Sequence, residues 1–125
     1  MQRAIEFLSA NYAQPLTLED AAAAAGYSPT YFSRVFREET GITYRAYLNR
    51  IRIERSKLLL LSGPVSVAEV CQLVGFSDQS YFCKVFRELE GVSPDRFRKR
   101  SRRIDTEKEH GGGVDFAQKI TKNGK

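Results

Sequence analysis

The stretch that decides the fold is GFSDQSYFCKVFRELEGVSPDRFR, residues 75–98. It opens with a glycine turn, continues as a helical pattern with aromatic residues on one side, and stops at a second glycine. Nearer the N-terminus, residues 26–47 read GYSPTYFSRVFREETGITYRAY and repeat this pattern. Another helical run precedes each copy, so the sequence predicts helix, tight turn and helix twice over.

Capping signals mark where these helices begin. Thr17 with Asp20, and Ser66 with Glu69, have the spacing of a capping box, and we expect the fuller box at Ser66 and Glu69. Ser28, followed by proline, is a good N-cap for the second helix of the first copy. The alignment of the copies matches Ser28 with Ser77, which predicts Ser77 as the corresponding cap.

The second helix of each copy has an apolar and a polar face. We expect the apolar residues to be buried: Phe32, Val35, Phe36, Phe82, Val85, Phe86 and Leu89. Ala22 and Cys71 are small where the first helix should cross the second. This layout is that of a helix-turn-helix, whose second helix enters the DNA major groove. An all-helical repeat that binds protein is the alternative interpretation.

A long helical pattern over residues 43–62 separates the two copies. At 1.5 Å per residue it extends for nearly 30 Å, roughly the 34 Å between successive major-groove faces on one side of B-DNA. One chain could then read two half-sites without dimerising. Its apolar stripe is predicted to contain Tyr44, Tyr47, Leu48, Ile51, Leu58 and Leu59, and its basic residues are Arg45, Arg50, Arg52, Arg55 and Lys57.

Composition narrows the classes of function. The 125 residues carry a net charge of +5, which favours polyanionic partners. Residues 1–28 contain one Lys or Arg against three acids, whereas residues 29–62 contain seven against three. Cys71, Cys83 and His110 have no metal-ligand spacing, so we expect no metal, no cofactor and no enzymatic centre. Without a membrane-length apolar run or a signal-peptide core, the expected location is cytoplasmic, with no membrane partner.

Residues 26–60, GYSPTYFSRVFREETGITYRAYLNRIRIERSKLLL, and 67–98, VAEVCQLVGFSDQSYFCKVFRELEGVSPDRFR, resemble the DNA-binding domain of the AraC/XylS family of bacterial transcription regulators. The resemblance covers about residues 3–100. It implies an all-α fold of about seven helices, with two helix-turn-helix units joined by a central helix. The corresponding domain is 1–100, with units 1–42 and 63–100 around the linker helix 43–62, and we expect a polar flexible tail over 101–125.

The family implies that both units bind double-stranded promoter DNA, and many of its members activate transcription by contacting RNA polymerase. Three features depart from its usual pattern: Cys71 and Ser56 stand where alanine is usual, and Thr43-Tyr44 replaces Ser-Pro, which predicts a less sharp start of the central helix. Ser56 fits if its hydroxyl bonds a backbone carbonyl. Most members carry an N-terminal effector or dimerisation domain, so we expect either a stand-alone regulator or a fragment that lacks this domain.

Short polar and basic side chains on the outward faces are the expected DNA contacts. Base contacts are predicted for Thr30, Ser33, Arg34, Gln79, Ser80, Cys83 and Lys84. Phosphate contacts are predicted for Ser28, Arg37, Arg45, Arg87, Arg96 and Arg98. Cys83 either packs on a thymine methyl or faces solvent. Arg52 is interpreted either as a phosphate contact or as the partner of Glu54 or another acid.

Overall fold

The computed structural model describes residues 1–107, with the side chains of residues 1–101. Within this part of the chain there are seven α-helices and no strand, as predicted. The helices are α1 (Gln2–Asn11), α2 (Leu18–Ala25), α3 (Pro29–Thr40), α4 (Tyr44–Ser62), α5 (Val67–Leu73), α6 (Gln79–Glu90) and α7 (Pro94–Glu107). Of the predicted flexible tail over 101–125, residues 101–107 instead belong to α7, and residues 108–125 lie outside the described residues.

Side-chain caps fix the starts of the helices. The full capping box is at Thr17, whose hydroxyl accepts from Asp20 N while Thr17 N donates to the Asp20 carboxylate, each at 3.1 Å. The prediction of the fuller box at Ser66 is therefore wrong, because Ser66 Oγ accepts from Glu69 N but the Glu69 carboxylate contacts that hydroxyl. Thr43 accepts from Ala46 N at 3.1 Å, so α4 begins as sharply as the other helices.

The start of α6 differs from the prediction. Asp78, rather than Ser77, is its N-cap, and its carboxylate accepts from Ser80 N at 2.8 Å and from Tyr81 N at 3.4 Å. The extra residue of the second copy therefore lies in the turn, before the cap. Asp78 is the true counterpart of Ser28, which caps α3 by accepting from Tyr31 N.

Each helix-turn-helix unit has its own core. In the first, Leu8 of α1, Phe32 and Phe36 of α3, and Leu48 of α4 are fully buried among the alanines of α2. In the second, α5 and α6 pack around Ile53 and Leu60 of α4. Burial of a phenylalanine side chain stabilises a fold by about 1.5–3 kcal/mol, so the aromatic faces of α3 and α6 hold these helices firmly from behind.

The central helix contributes to both cores, and its buried face differs from the predicted stripe. Leu58 is exposed, whereas the polar residues Asn49, Arg52, Ser56 and Lys57 are buried. Ser56 Oγ donates to Ile53 O at 2.7 Å, which supplies the carbonyl partner that this substitution of the usual alanine requires. In the second half of α4 the buried face therefore contains Ser56, Lys57 and Leu60, with Leu59 partly buried, and Leu58 lies outside it.

Helix α7 closes the second unit and continues past residue 100, where the domain was predicted to end. Its N-terminal Pro94 is buried, and the Phe97 ring centroid lies 5.5 Å from that of Phe86. The Arg98 guanidinium donates to Leu60 O at the end of α4 and to Val65 O in the following loop. The helix is therefore anchored to both α4 and α6, which places its start beside the end of α6.

Candidate nucleic-acid interface

Helix α3 presents a polar face opposite its buried aromatic residues. Thr30, Ser33, Arg34 and Arg37, all predicted to contact DNA, are exposed on α3. Ser28, the N-cap at the start of this face, is exposed as well. The face begins at a helix N-terminus, whose unpaired N–H groups and dipole favour anions such as phosphate.

Arg34, near the middle of this face, is already oriented by neighbouring side chains. Its Nη1 lies 3.5 Å from Glu38 Oε2, and both side chains are 61% exposed. The guanidinium also lies over the Tyr31 ring, 5.2 Å from the centroid. An exposed pair of this type adds little to stability, so its main consequence is to hold Arg34 along the helix, where Glu38 competes with any anionic partner.

Helix α6 presents the corresponding face in the second unit. Gln79, Ser80, Lys84 and Arg87 are exposed there. The acidic cap Asp78 stands at the start of this face, where α3 has a neutral serine. The two faces therefore share their architecture and differ in charge at the N-terminal end, which is neutral in α3 and acidic in α6.

Cys83 lies at the edge of the α6 face and not on the open part of it. Its side chain is half-buried and packs against the second core. Burial raises the pKa of its thiol above the ordinary value of 9.0, and the negative charge of Asp95 at the start of α7 adds to this shift. Cys83 is partly exposed as well as partly packed, so both interpretations offered for it, contact with a thymine methyl and exposure to solvent, stay predictions.

The predicted phosphate contacts outside α3 and α6 fall into two groups. Arg45 and Arg96 are exposed in the first turns of α4 and α7, and the Arg45 guanidinium lies over the Tyr44 ring at 5.4 Å and donates to its hydroxyl. Arg98 is half-buried with its guanidinium directed to the two carbonyls described above. Those hydrogen bonds give Arg98 a structural role, and we do not retain it as a phosphate contact.

Arg52 has neither of the roles considered for it. Its side chain is buried, 4% exposed, and donates from Nε to Tyr12 O at 2.7 Å and from Nη2 to Gln14 O at 2.9 Å. These acceptors are backbone carbonyls of the first unit, rather than a phosphate or a carboxylate. Burial lowers the pKa of the Arg52 guanidinium, and the neighbouring positive charge of Arg45 lowers it further.

Two tyrosines on the interface helices were not predicted as site residues. Tyr31 and Tyr81 are 46% and 42% exposed, although tyrosine usually hides most of its ring. The Tyr81 hydroxyl accepts from Asn49 Nδ2 of α4 at 3.0 Å, which ties the first turn of α6 to the central helix. Tyr31 and Tyr81 each follow a small polar residue at matched positions of the two copies. This recurrence was the sequence signal that could have identified them as site residues.

Among residues 1–107, no group of three or more His, Cys, Asp and Glu side chains is arranged to hold a metal ion. In the same part of the chain, no helix combines the length and the apolar character that crossing a membrane requires.

Two helix-turn-helix units on a shared central helix, each with a polar second helix supported by an aromatic core, define a double helix-turn-helix DNA-binding domain. The family model described as a helix-turn-helix domain matches residues 21–100. The chain belongs to the AraC-type family of helix-turn-helix transcription regulators.

Known relatives are similar over most of this chain. The regulatory protein PocR of Salmonella typhimurium is 39% identical over 98 residues, covering 78% of this chain and 32% of PocR. The transcriptional activator NphR of Rhodococcus is 43% identical over 89 residues, covering 71% of this chain and 26% of NphR. The chain thus spans about one third or less of the length of these two relatives.

A solved structure of the DNA-binding domain of AdpA, a global transcriptional factor in complex with a target DNA, has the same fold. Its TM-score with this chain is 0.76 at 25% sequence identity, and the match covers 88% of this chain and 96% of that one. This match extends over more of the present chain than the two sequence relatives do.

Proposed function

We propose that this domain binds double-stranded promoter DNA sequence-specifically, with α3 and α6 in adjacent major-groove segments. The observation that carries the proposal is the repetition, on one central helix, of a polar and basic helix face anchored from behind by a buried aromatic stripe. The 19 residues of α4 extend for about 28 Å, close to the spacing of successive groove faces. The AdpA domain bound to its target DNA supports this use of the fold.

The residues assigned to base edges are Thr30, Ser33 and Arg34 on α3 and Gln79, Ser80 and Lys84 on α6, with Cys83 at the edge of the second set. Arginine and lysine suit the O6 and N7 acceptors of guanine, and glutamine suits adenine. Ser28, Arg37, Arg45, Arg87 and Arg96 are assigned to phosphates, which position the domain without reading sequence.

We propose further that the bound domain regulates transcription in the cytoplasm, as an activator that contacts RNA polymerase. NphR, which carries the name of an activator, supports this direction of control. Transcription in vitro from a template with a selected site tests it. An activator should increase the amount of transcript when the domain is bound, and a decrease would instead indicate repression.

The DNA-binding proposal is tested by selecting bound duplexes from a random pool and then titrating selected and scrambled duplexes at moderate salt. Two motifs about one helical turn apart are expected, because each unit supplies one reader. Affinity should fall steeply as salt rises, since phosphate contacts release counterions. Equal binding of selected and scrambled duplexes would overturn sequence-specific binding. Salt-independent binding would instead favour the alternative, a helical module that docks on protein.

A further inference from the structure

The two helix-turn-helix units touch each other directly at one junction, in addition to being joined by α4. The Arg52 side chain forms its centre and holds the loop after α1 through the carbonyls of Tyr12 and Gln14. These two residues belong to the first unit. Arg52 lies in the middle of α4, next to Ile51, which packs against the first core, so its hydrogen bonds fix the loop after α1 to the central helix at the edge of that core.

The other side of the junction belongs to the second unit. The Arg52 guanidinium lies 5.6 Å from the ring centroid of Phe76, which is buried in the second core. At the adjacent Gly75 the backbone approaches the first unit so closely that a Cβ would lie 2.6 Å from Tyr12 O and 3.1 Å from Ala13 Cα. The turn between α5 and α6 at Gly75 therefore packs against the loop that follows α1.

The chemistry of the junction makes it stiff. Hydrogen bonds from a charged donor are about twice as strong as neutral ones, and here they are shielded from water. The planar guanidinium satisfies two carbonyls with one face on an aromatic ring, an arrangement that lysine cannot reproduce. Rotation of one unit relative to the other would break both hydrogen bonds and open the contact at Gly75, so the two recognition helices are held in one relative orientation.

We infer that Arg52 is a positioning residue that sets which spacing of two half-sites the domain accepts, an inference that rests on the proposed two-unit DNA binding. Arg52 is buried and faces the protein interior, so its influence on DNA passes through the orientation of α3 and α6. Each base pair inserted between half-sites rotates one of them by about a tenth of a turn and shifts it by about 3.4 Å. A domain with a locked junction cannot follow such a change.

The test uses the whole chain and a set of duplexes that carry the two selected half-sites with the native spacing or with one or two base pairs inserted or removed. Wild-type protein should bind the native spacing more tightly than the shifted ones by about tenfold or more, the size of a lost base contact. Arg52→Met keeps a long apolar side chain beside Phe76 but donates no hydrogen bond. We expect it to reduce the ratio between spacings to about threefold or less, while binding to an isolated half-site is unchanged.

Arg50→Met is the matched control, because it removes the same charge from the same helix at a residue outside the junction. Any uniform loss of phosphate attraction cancels in the ratio between spacings. Circular dichroism establishes that each variant is folded. If Arg52→Met unfolds, Arg52→Lys serves in its place, since it keeps the charge and loses the two-carbonyl geometry, and a reduced ratio is again expected.

The outcomes separate this inference from the proposal on which it rests. If wild-type protein binds a double site no better than a single half-site, the two-unit proposal is wrong. If it binds double sites better but with equal affinity at every spacing, the units are not locked and the inference fails. The inference also fails if Arg52→Met or Arg52→Lys is folded and retains the wild-type ratio between spacings.

Discussion

Lys57 Nζ lies 3.1 Å from Glu90 Oε1, and the two side chains are only 2% and 1% exposed. Lys57 also lies 3.2 Å from the Glu54 carboxylate, one turn earlier in α4. This ion pair joins the central helix to the last residue of α6. Because both charges are removed from water, solvent screens their attraction only weakly, and this attraction fixes the end of α6 to α4 in addition to packing.

Replacement of Lys57 by methionine should destabilise the domain by about 3 kcal/mol or more, since it removes the cation that lies 3.1 Å from a buried glutamate. Urea unfolding followed by circular dichroism measures this change. Lys99→Met is the control, because Lys99 is exposed on α7, and it should change the free energy of unfolding by less than about 0.5 kcal/mol. Equal stability of the two variants would show that the buried pair is dispensable.

Local signals made most of the fold predictable. The caps Thr17 and Ser28, and the aromatic faces of α3 and α6, act within a few residues of sequence, and the structure contains them as predicted. Asp78 was missed for a local reason, since serine and aspartate cap equally well and the alignment placed the extra residue after the cap. Local sequence was also sufficient to predict which residues lie on the outward faces of α3 and α6.

Long-range contacts account for the remaining differences. Arg52 and Lys57 occupy core positions of α4, so a search for apolar periodicity passes over them and selects Leu58 instead. The acceptors of Arg52 lie 38 and 40 residues away in sequence, and Lys57 pairs with Glu90 of α6 in addition to Glu54 of its own helix. A charged residue in a helix pattern normally indicates solvent, and only the assembled units reveal why these two are buried.

Gly75→Ala should destabilise the domain more than Gly41→Ala. Both glycines have positive φ, 102° and 87°, so each alanine carries a backbone cost of about 1–2 kcal/mol. A Cβ at Gly41 meets nothing within 4 Å, whereas one at Gly75 lies 2.6 Å from Tyr12 O. We expect an additional cost of about 2 kcal/mol at Gly75. Urea unfolding of both variants checks the difference, and equal losses would contradict the close contact between the units.

Asp78→Ala should lower the free energy of unfolding by about 1 kcal/mol, because Ser80 N and Tyr81 N lose their acceptor. Asp78→Ser should keep the stability near that of the wild type, since serine caps as aspartate does. Ser77→Ala is the control, as Ser77 is exposed and does not cap α6. Thermal unfolding of the three variants decides between the caps, and a larger loss for Ser77→Ala would restore the cap predicted from sequence.

Stability should fall as the pH rises above about 9, in part because of Cys71. Burial raises the pKa of this thiol above 9.0, with smaller contributions from Cys83 and Asp78. The unfolded chain therefore releases the thiol proton at a lower pH than the folded one, so the stabilising effect is complete below the unfolded pKa and is lost as the pH rises through the folded pKa. Cys71→Ala removes this contribution.

The measurement for Cys71 is urea unfolding at about pH 7.5 and about pH 10, in wild-type protein and in Cys71→Ala. The variant should lose less stability between the two pH values, and the titration of other groups cancels in the comparison. A matched Cys83→Ala variant tests the half-buried thiol in the same way. An identical pH dependence in wild type and Cys71→Ala would show that the buried thiol is not responsible.

Arg34→Ala should weaken binding to a selected duplex by about 1–3 kcal/mol and relax the preference at one base position, as expected for loss of a base contact. Arg37→Ala, one turn further along α3, is the comparison. Because Arg37 is assigned to a phosphate, Arg37→Ala should weaken binding to selected and scrambled duplexes equally. The slope of log affinity against log salt concentration should fall in magnitude by about one. Glu38→Gln should strengthen binding, because it removes the carboxylate 3.5 Å from the Arg34 guanidinium. Titrations at several salt concentrations measure all three, and a uniform loss for Arg34→Ala would reassign Arg34 to the phosphate backbone.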